Sequence, residues 1–416
     1  MNSIKSIKAK EILDSRGSPT VAVELETDHG LFSAATPSGV STGEREAIEI
    51  RDGGERYNGK GVLRAVKNIN EILSIKLVGK SPEDQKHIDE LMLELDGTPN
   101  KSNLGANAIL PVSIAVSRAG AKAKGIFLWK YLSELAEKDI YASMPRPSVL
   151  LMEGGLHSDS GLGFQEFMVV VDGKSFTQEF KNAVEIYQKL GTLLKLKYGK
   201  QGEKIGVEGG FAPPISKTEQ ALDLIVKAIK DSNLKNKTKI IIDVAASSFY
   251  KNKRYYIDGK SFSTEELLDF YSYLIDKYPI AGIEDPFEED DWQGFGLILK
   301  KLGDRIFIIG DDLLTTNIRS IKKAIKENTV NALIIKPNQV GTVTETIEAI
   351  QMAKTANWKV FVKHRGGETY DSFISDLAVG LSADYIMAGG PFKPERKAKY
   401  DRLLKIEKEI NLLNKF

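Results

Sequence analysis

The sequence predicts an α/β chain in which an N-terminal α+β unit precedes a barrel of alternating strands and helices. Three observations carry that prediction. Residues 3–36 alternate in strand fashion, residues 60–135 show helical spacing, and the second half holds six short apolar runs that each stop at a defined end residue. The runs are 239–243, 280–284, 306–311, 332–336, 360–364 and 383–387, and they end at Asp243, Glu284, Asp311, Lys336, His364 and Met387. Runs of Ile and Val bounded by polar turns are the pattern of parallel strands buried on both faces. Helical spacing between the runs makes the unit strand–helix. Repeated units of this kind close into a barrel whose site lies at the carboxyl ends of its strands.

The elements follow in order. Turn residues at Ser15-Arg16-Gly17-Ser18-Pro19 and Asp28-His29-Gly30 divide the first segment into an antiparallel meander, with Val21, Val23 and Leu25 on one face. The stretch 107–115 is apolar on most sides and predicts a buried helix, with Pro111 kinking it or lying in its first turn. Strands followed by helices give an α+β domain over 1–135. Ser143-Met144-Pro145-Arg146-Pro147-Ser148 ends a linker over 136–148, and the barrel occupies 149–416. Two helix starts carry a capping-box pattern, Ser216 with Glu219 and Ser263 with Glu266.

The 416 residues carry a formal net charge of +1, so nothing in the bulk charge points to nucleic acid or a membrane surface. The absence of cysteine excludes disulfides, Cys-ligated zinc and Cys nucleophiles. No apolar stretch reaches the ~20 residues that span a bilayer. The start, Met1-Asn2-Ser3-Ile4-Lys5, lacks the apolar core of a signal peptide, and a cytoplasmic location is expected.

Asp243, Glu284 and Asp311 are hard oxygen donors on three successive strand ends. That donor type suits Mg²⁺, which takes a few carboxylates and keeps positions for water and substrate. On its own, an Asp after a strand more commonly caps a helix, and this is the reading for Asp312. Lys336 follows the buried pair Ile334-Ile335, which places it at a buried strand end. A lysine beside a metal site suits a proton abstraction, provided it is neutral when it acts.

Several stretches resemble the enolase family. They include Asp14-Ser15-Arg16-Gly17, Ser38-Gly39-Val40-Ser41-Thr42-Gly43, Leu95-Asp96-Gly97-Thr98-Pro99-Asn100-Lys101-Ser102, Gln165-Glu166-Phe167-Met168, Glu208-Gly209-Gly210-Phe211, Ile283-Glu284-Asp285-Pro286-Phe287, Gly310-Asp311-Asp312-Leu313 and His364-Arg365. They run in family order along essentially the whole chain. The resemblance implies a capping domain on a modified TIM-type (β/α)8 barrel that assembles as a homodimer or a set of dimers. It implies Mg²⁺-dependent dehydration of 2-phosphoglycerate to phosphoenolpyruvate. One structural and catalytic ion would sit on Asp243, Glu284 and Asp311, with a second arriving with substrate. Lys336 matches the base, Glu208 the acid that helps the 3-hydroxyl leave, and Glu166 its partner. His157, His364 and Arg365 match substrate contacts, with Arg365 on the phosphate, and Ser41 lies in a loop that closes over substrate. Gly366 and Met387 fall at substrate-binding positions where the family has Ser and Lys. Val207, Leu150, Glu153 and Ser248 are further departures, and these changes gather around the site motifs. They open two other readings: an enolase-like enzyme acting on a related phosphorylated or phosphonate carboxylate, or a relative with little or no activity.

Overall fold

The computed structural model describes residues 3–39, 43, 45–136 and 142–413. The meander forms as expected: β1 (Ile4–Leu13), β2 (Pro19–Thr27) and β3 (Gly30–Ala35) pair antiparallel in sequence order. Val21, Val23 and Leu25 are wholly buried, because alternation along a strand sends every second side chain to the same face. That face packs on the helix Ala106–Ala123. Pro111 lies inside this helix, past its first turn, and almost every position around it is buried.

The barrel strands are β4 (Arg146–Glu153), β5 (Glu166–Val171), β6 (Thr238–Asp243), then, after a small hairpin sheet of β7 (Tyr250–Lys251), β8 (Arg254–Ile257) and β9 (Lys260–Phe262), β10 (Ile280–Glu284), β11 (Phe307–Gly310), β12 (Ala332–Ile335), β13 (Lys359–Lys363) and β14 (Tyr385–Met387). The closed order is β10-β11-β12-β13-β14-β4-β5-β6. Two features depart from the sequence expectation. The first barrel strand already starts at Arg146, whose N–H donates to Asp384 O at 2.9 Å, so it begins inside the expected linker. One strand, β5, runs antiparallel to both neighbours.

Leu150, Met168, Ile241, Ile309, Ile334 and Phe361 form an apolar cluster inside the ring, and Met387 joins it. The intervening residues Ile240, Ile242, Leu333, Ile335, Val360 and Val362 belong to the outer core against the helices. This double burial is why the strands read as continuous apolar runs. It also fixes which residues face the mouth. Two places beyond Ile241, Ile309, Ile334 and Phe361, the next inward positions are Asp243, Asp311, Lys336 and Lys363.

The box at Ser263 forms, the Ser263 hydroxyl accepting from Glu266 N–H while Glu266 accepts from Ser263 N–H. The one expected at Ser216 does not. That helix starts at Thr218, its N–H donates to Asp258, and Glu219 instead pairs with Lys277 at 2.6 Å. The two domains are tied by charge and backbone: Arg118 of the helix Ala106–Ala123 makes a fork on Asp371 at 2.7 and 2.8 Å, and Ser38 and Gly367 exchange backbone hydrogen bonds.

Candidate active site

The mouth of the barrel is a ring of buried charges. Glu166 and Glu284 are both in register with Asp243, so three carboxylates stand side by side on β5, β6 and β10. Glu166 belongs there because β5 is reversed, which brings its first residue to the mouth. Asp311 follows just beyond β11, Lys336 just beyond β12 and Lys363 at the end of β13, with Met387 as the register partner of Lys363.

Two lysines neutralise much of this acid. Lys336 donates a short hydrogen bond to Asp311 Oδ2, and Gln339 donates to Asp311 Oδ1 at 3.0 Å. Lys363 donates to Asp243 Oδ2 and Glu284 Oε1, both at 2.8 Å, and its ammonium is 3.2 Å from Glu166 Oε1. Burial is the largest influence on the Lys336 ammonium and lowers its pKa, with Arg365 and Lys363 acting the same way; the surrounding acid, Asp311 first and then Glu284, pulls it up, and the net pKa is raised. Burial would raise Asp311, but Lys336 and Lys363 hold it down at about 2. Burial, then the Asp243 charge, pushes Glu284 well up.

A second group centres on Glu208. Its Oε2 lies 3.4 Å from His157 Nδ1 and 3.5 Å from His364 Nε2. Arg396 Nη1 approaches His364 Nδ1 at 2.6 Å. A guanidinium can only donate, so Nδ1 accepts and the ring proton sits on Nε2, facing Glu208. Burial and the neighbouring Arg396 charge keep His364 neutral, its pKa well below the usual histidine range. Burial opposes the charged His157, yet Glu208 raises it to about 9. Against its own burial, Glu208 is lowered well below the usual range by His157 and His364. Glu166 goes the other way: burial and Glu208 lift it to about 8, with Lys363 opposing. Of the two carboxyls, Glu166 is therefore the one that keeps a proton at neutral pH.

Glu208 is aimed by a buried Glu153. The carboxyl of Glu153 accepts from Glu208 N–H at 3.0 Å and from Gly210 N–H at 2.8 Å. Gly209 has a φ of +95°, a left-handed conformation that a side chain would strain. A Cβ added there would also come within 3.2 Å of the Gly390 Cα, and Tyr187 donates to Gly209 O at 2.8 Å.

The remaining expected residues fall as follows. Arg365 is buried, with its fork on Glu46 at 2.8 and 3.2 Å and a bond to Asn338 Oδ1 at 3.1 Å. Gly366 contributes its carbonyl, which accepts from Arg396 Nη2 at 2.7 Å. Met387 is packed in the apolar interior of the ring. Ser41 lies outside the described residues. Asp312 is not the cap of its turn: Asp285 accepts the N–H groups of both Asp311 and Asp312, at 2.9 and 2.8 Å. The departures from the family pattern do not all gather at the site either. Ser248 is exposed and Leu150 lies in the barrel interior.

Sequence reasoning missed Lys363, Glu46, Gln339, Asp285 and Arg396. Alternation along β13 singles out Lys363, since Phe361 faces inward and Lys363 is two places on. Asp285 and Gln339 stand one and three places past the expected Glu284 and Lys336, whereas Glu46 comes from a loop and Arg396 from a helix far along the chain, with no local signal.

The donor chemistry suits a hard divalent cation. Glu284 Oε2 and both Glu166 oxygens are buried without a hydrogen-bond partner. Among the described residues, candidate donor atoms lie within 4.8 Å of one another in Glu153–His157–Glu208, in Glu166–Glu208–His364 and in Asp285–Asp311–Asp312. Asp243, Glu284 and Asp311 are not among these groups; Lys363 bridges the first two and Lys336 pairs with the third. No helix among the described residues is long and apolar enough to cross a membrane.

Comparison with known proteins gives a consistent picture. Residues 4–132 match the family model of the enolase N-terminal domain, and residues 141–416 match that of the enolase C-terminal TIM barrel domain. The chain is 48% identical to enolase B of Dictyostelium discoideum, across 99% of this chain and 96% of that protein. It is 47% identical to the enolase of Methanothrix thermoacetophila, across 98% and 96%. It is also 47% identical to that of Thermococcus gammatolerans, across 98% and 95%.

Proposed function

The chain belongs to the enolase family and is a carbon–oxygen lyase of the phosphopyruvate hydratase type, and we propose that its reaction is the Mg²⁺-dependent interconversion of 2-phosphoglycerate and phosphoenolpyruvate. The observation that carries this reading is the division of the mouth into two acid–base centres flanking a carboxylate cluster. Lys336 is on one side of the cluster, and Glu166, Glu208 and the two histidines are on the other.

A proton next to a carboxylate is a weak acid, so its removal needs a base and positive charge at the carboxylate. Lys336 Nζ takes the C2 proton. Burial, then the Arg365 and Lys363 charges, favour its neutral form, against the pull of Asp311. On the other side Glu166 and Glu208 assist departure of the C3 hydroxyl. The proton is stored on Glu166, while Glu208 stays ionised between His157 and His364. Asp243, Glu284 and Asp311 are the carboxylates that would hold the metal, which when bound supplies positive charge at the substrate carboxylate. His157 and His364 contact substrate, and Arg365, with Gly366 next to it in the chain, meets the phosphate by exchanging its fork on Glu46 for phosphate oxygens. The Ser41 loop covering the bound substrate, a second ion arriving with it, a cytoplasmic setting and assembly in dimers belong to the same reading.

The reading is tested by following phosphoenolpyruvate absorbance with purified protein, 2-phosphoglycerate and Mg²⁺. Turnover that chelator abolishes and Mg²⁺ restores is expected. A second reading rests on Met387, an apolar inner residue in the ring, and on the Glu46 hold on Arg365. It keeps the proton abstraction and changes the substrate to a related phosphorylated or phosphonate carboxylate. Absent turnover, with Mg²⁺ still bound, would favour it.

A further inference from the structure

Lys363 is a buried charge that neither acid–base centre uses directly. Its side chain is 3% exposed, and its ammonium bridges Asp243 Oδ2 and Glu284 Oε1 at 2.8 Å each, with Glu166 Oε1 at 3.2 Å. Asp243 and Glu284 are two of the three carboxylates assigned above to the metal. A lysine ammonium has three donors on a flexible four-carbon stem, so it can meet three carboxylates and can also swing away from them. Its register partner on β14 is the neutral Met387, so nothing across the strand pair repels it. The cluster also holds acceptors that the ammonium leaves unused, namely Glu284 Oε2 and Glu166 Oε2.

An ammonium and a divalent ion cannot share the space between Asp243 and Glu284, and at short range in a buried site their repulsion is large. We infer that Lys363 is a tethered competitor of the divalent cation, its ammonium holding Asp243 and Glu284 until the metal displaces it. The inference rests on the assignment of Asp243, Glu284 and Asp311 as the metal carboxylates. Two properties follow. The acid cluster is neutralised without metal, so the fold persists in chelator. The metal meets a site that is free only for a fraction of the time, which weakens its apparent affinity by that fraction.

The test compares chelator-treated wild type with Lys363→Met, without substrate, by calorimetric titration of Mg²⁺ and by melting temperature across the same titration. Lys363→Met should bind Mg²⁺ at least tenfold more tightly and show the larger Mg²⁺-dependent rise in melting temperature. Lys363→Arg, which keeps the charge, should stay closer to wild type. Equal or weaker binding by Lys363→Met overturns the competition and leaves the metal assignment standing. Binding by neither protein overturns the assignment and the competition together. Should Lys363→Met not stay folded without metal, wild-type crystals with Mn²⁺ give the answer. An anomalous peak between Asp243 and Glu284, with Lys363 Nζ moved out of hydrogen-bond range, supports the displacement. A peak elsewhere, or Nζ unmoved, overturns it.

Discussion

At the scale of single residues, Lys336 and Lys363 are both buried ammonium groups at the ends of neighbouring strands on the same rim, but their partners differ. Lys336 faces Asp311, and Lys363 spans Asp243 and Glu284. Lys336→Ala should lower exchange of the substrate C2 proton by about 10²–10⁴-fold, the usual range for a lost general base. Glu208→Gln should spare that exchange and block release of the hydroxyl. Exchange followed by NMR in deuterated water, beside the absorbance assay, separates the two; equal loss of both reactions in both variants would sink the assigned roles. Met387 gives a second prediction. Met387→Lys puts another ammonium into an apolar cluster, beside Lys363 in register. It should destabilise the protein by about 3 kcal/mol or more. The exchanged pair, Lys363→Met with Met387→Lys, keeps one ammonium at the rim and should recover part of that loss in urea denaturation. Recovery no better than the sum of the single changes would mean that the two positions do not share one charge.

At the scale of elements, the turn carrying Glu208 depends on Glu153 at the end of β4. Burial and the Glu208 charge raise Glu153 from its ordinary value of 4.5 to about 7. The folded protein therefore keeps this proton at a pH where the unfolded chain has released it. Its contribution to stability is greatest below the unfolded value, falls as pH rises toward about 7, and is flat beyond. Glu153→Gln retains an acceptor for the Glu208 and Gly210 amides and cannot ionise. Relative to wild type it should gain stability across that window, by on the order of 2–3 kcal/mol at neutral pH. Unfolding curves at several pH values check this; parallel profiles for the two proteins would refute it. Much of the element pattern was legible in the sequence because the parallel strands are buried on both sides and, apart from the one ending at Met387, lead into a polar residue. Lys363 was hidden by its neighbour, since His364-Arg365 drew the reading one place past the inward position. β5 escaped for a different reason. Its polar residue, Glu166, stands at the start of the apolar run 166–171, and that inversion is itself the mark of a strand running the other way. The Ser216 box failed because Asp258, from the hairpin after β8, reached the helix start instead.

At the scale of the whole molecule, the site is closed by groups from both domains. Glu46 reaches Arg365 from the N-terminal domain, and Arg118 ties that domain to Asp371. Arg118→Met would leave Asp371 with only its backbone donors, and a lost charge-assisted hydrogen bond costs about 1.5–3 kcal/mol. Urea unfolding followed by circular dichroism should show that loss; an unchanged midpoint would mean that the fork contributes nothing net. These long-range ties were not readable from the sequence, because each joins residues hundreds of positions apart with no local pattern between them. The reversed strand has one more consequence. With β5 turned over, the segment 154–165 begins and ends at the rim, bounded by Glu153 and Glu166, and Ser158 and Ser160 are fastened to Glu153 O at 2.9 and 3.2 Å. The next connection, after Val171, leaves from the opposite end, where Val171 meets Thr238. The molecule therefore has one face where added length is tuned by chemistry and another where it is nearly free. New chain ends opened between Gly173 and Lys174 should leave turnover close to that of the uncut protein. A single residue inserted between Ser158 and Ser160 should slow it. A designer could graft a tether or reporter at the quiet end and leave the rim to selection.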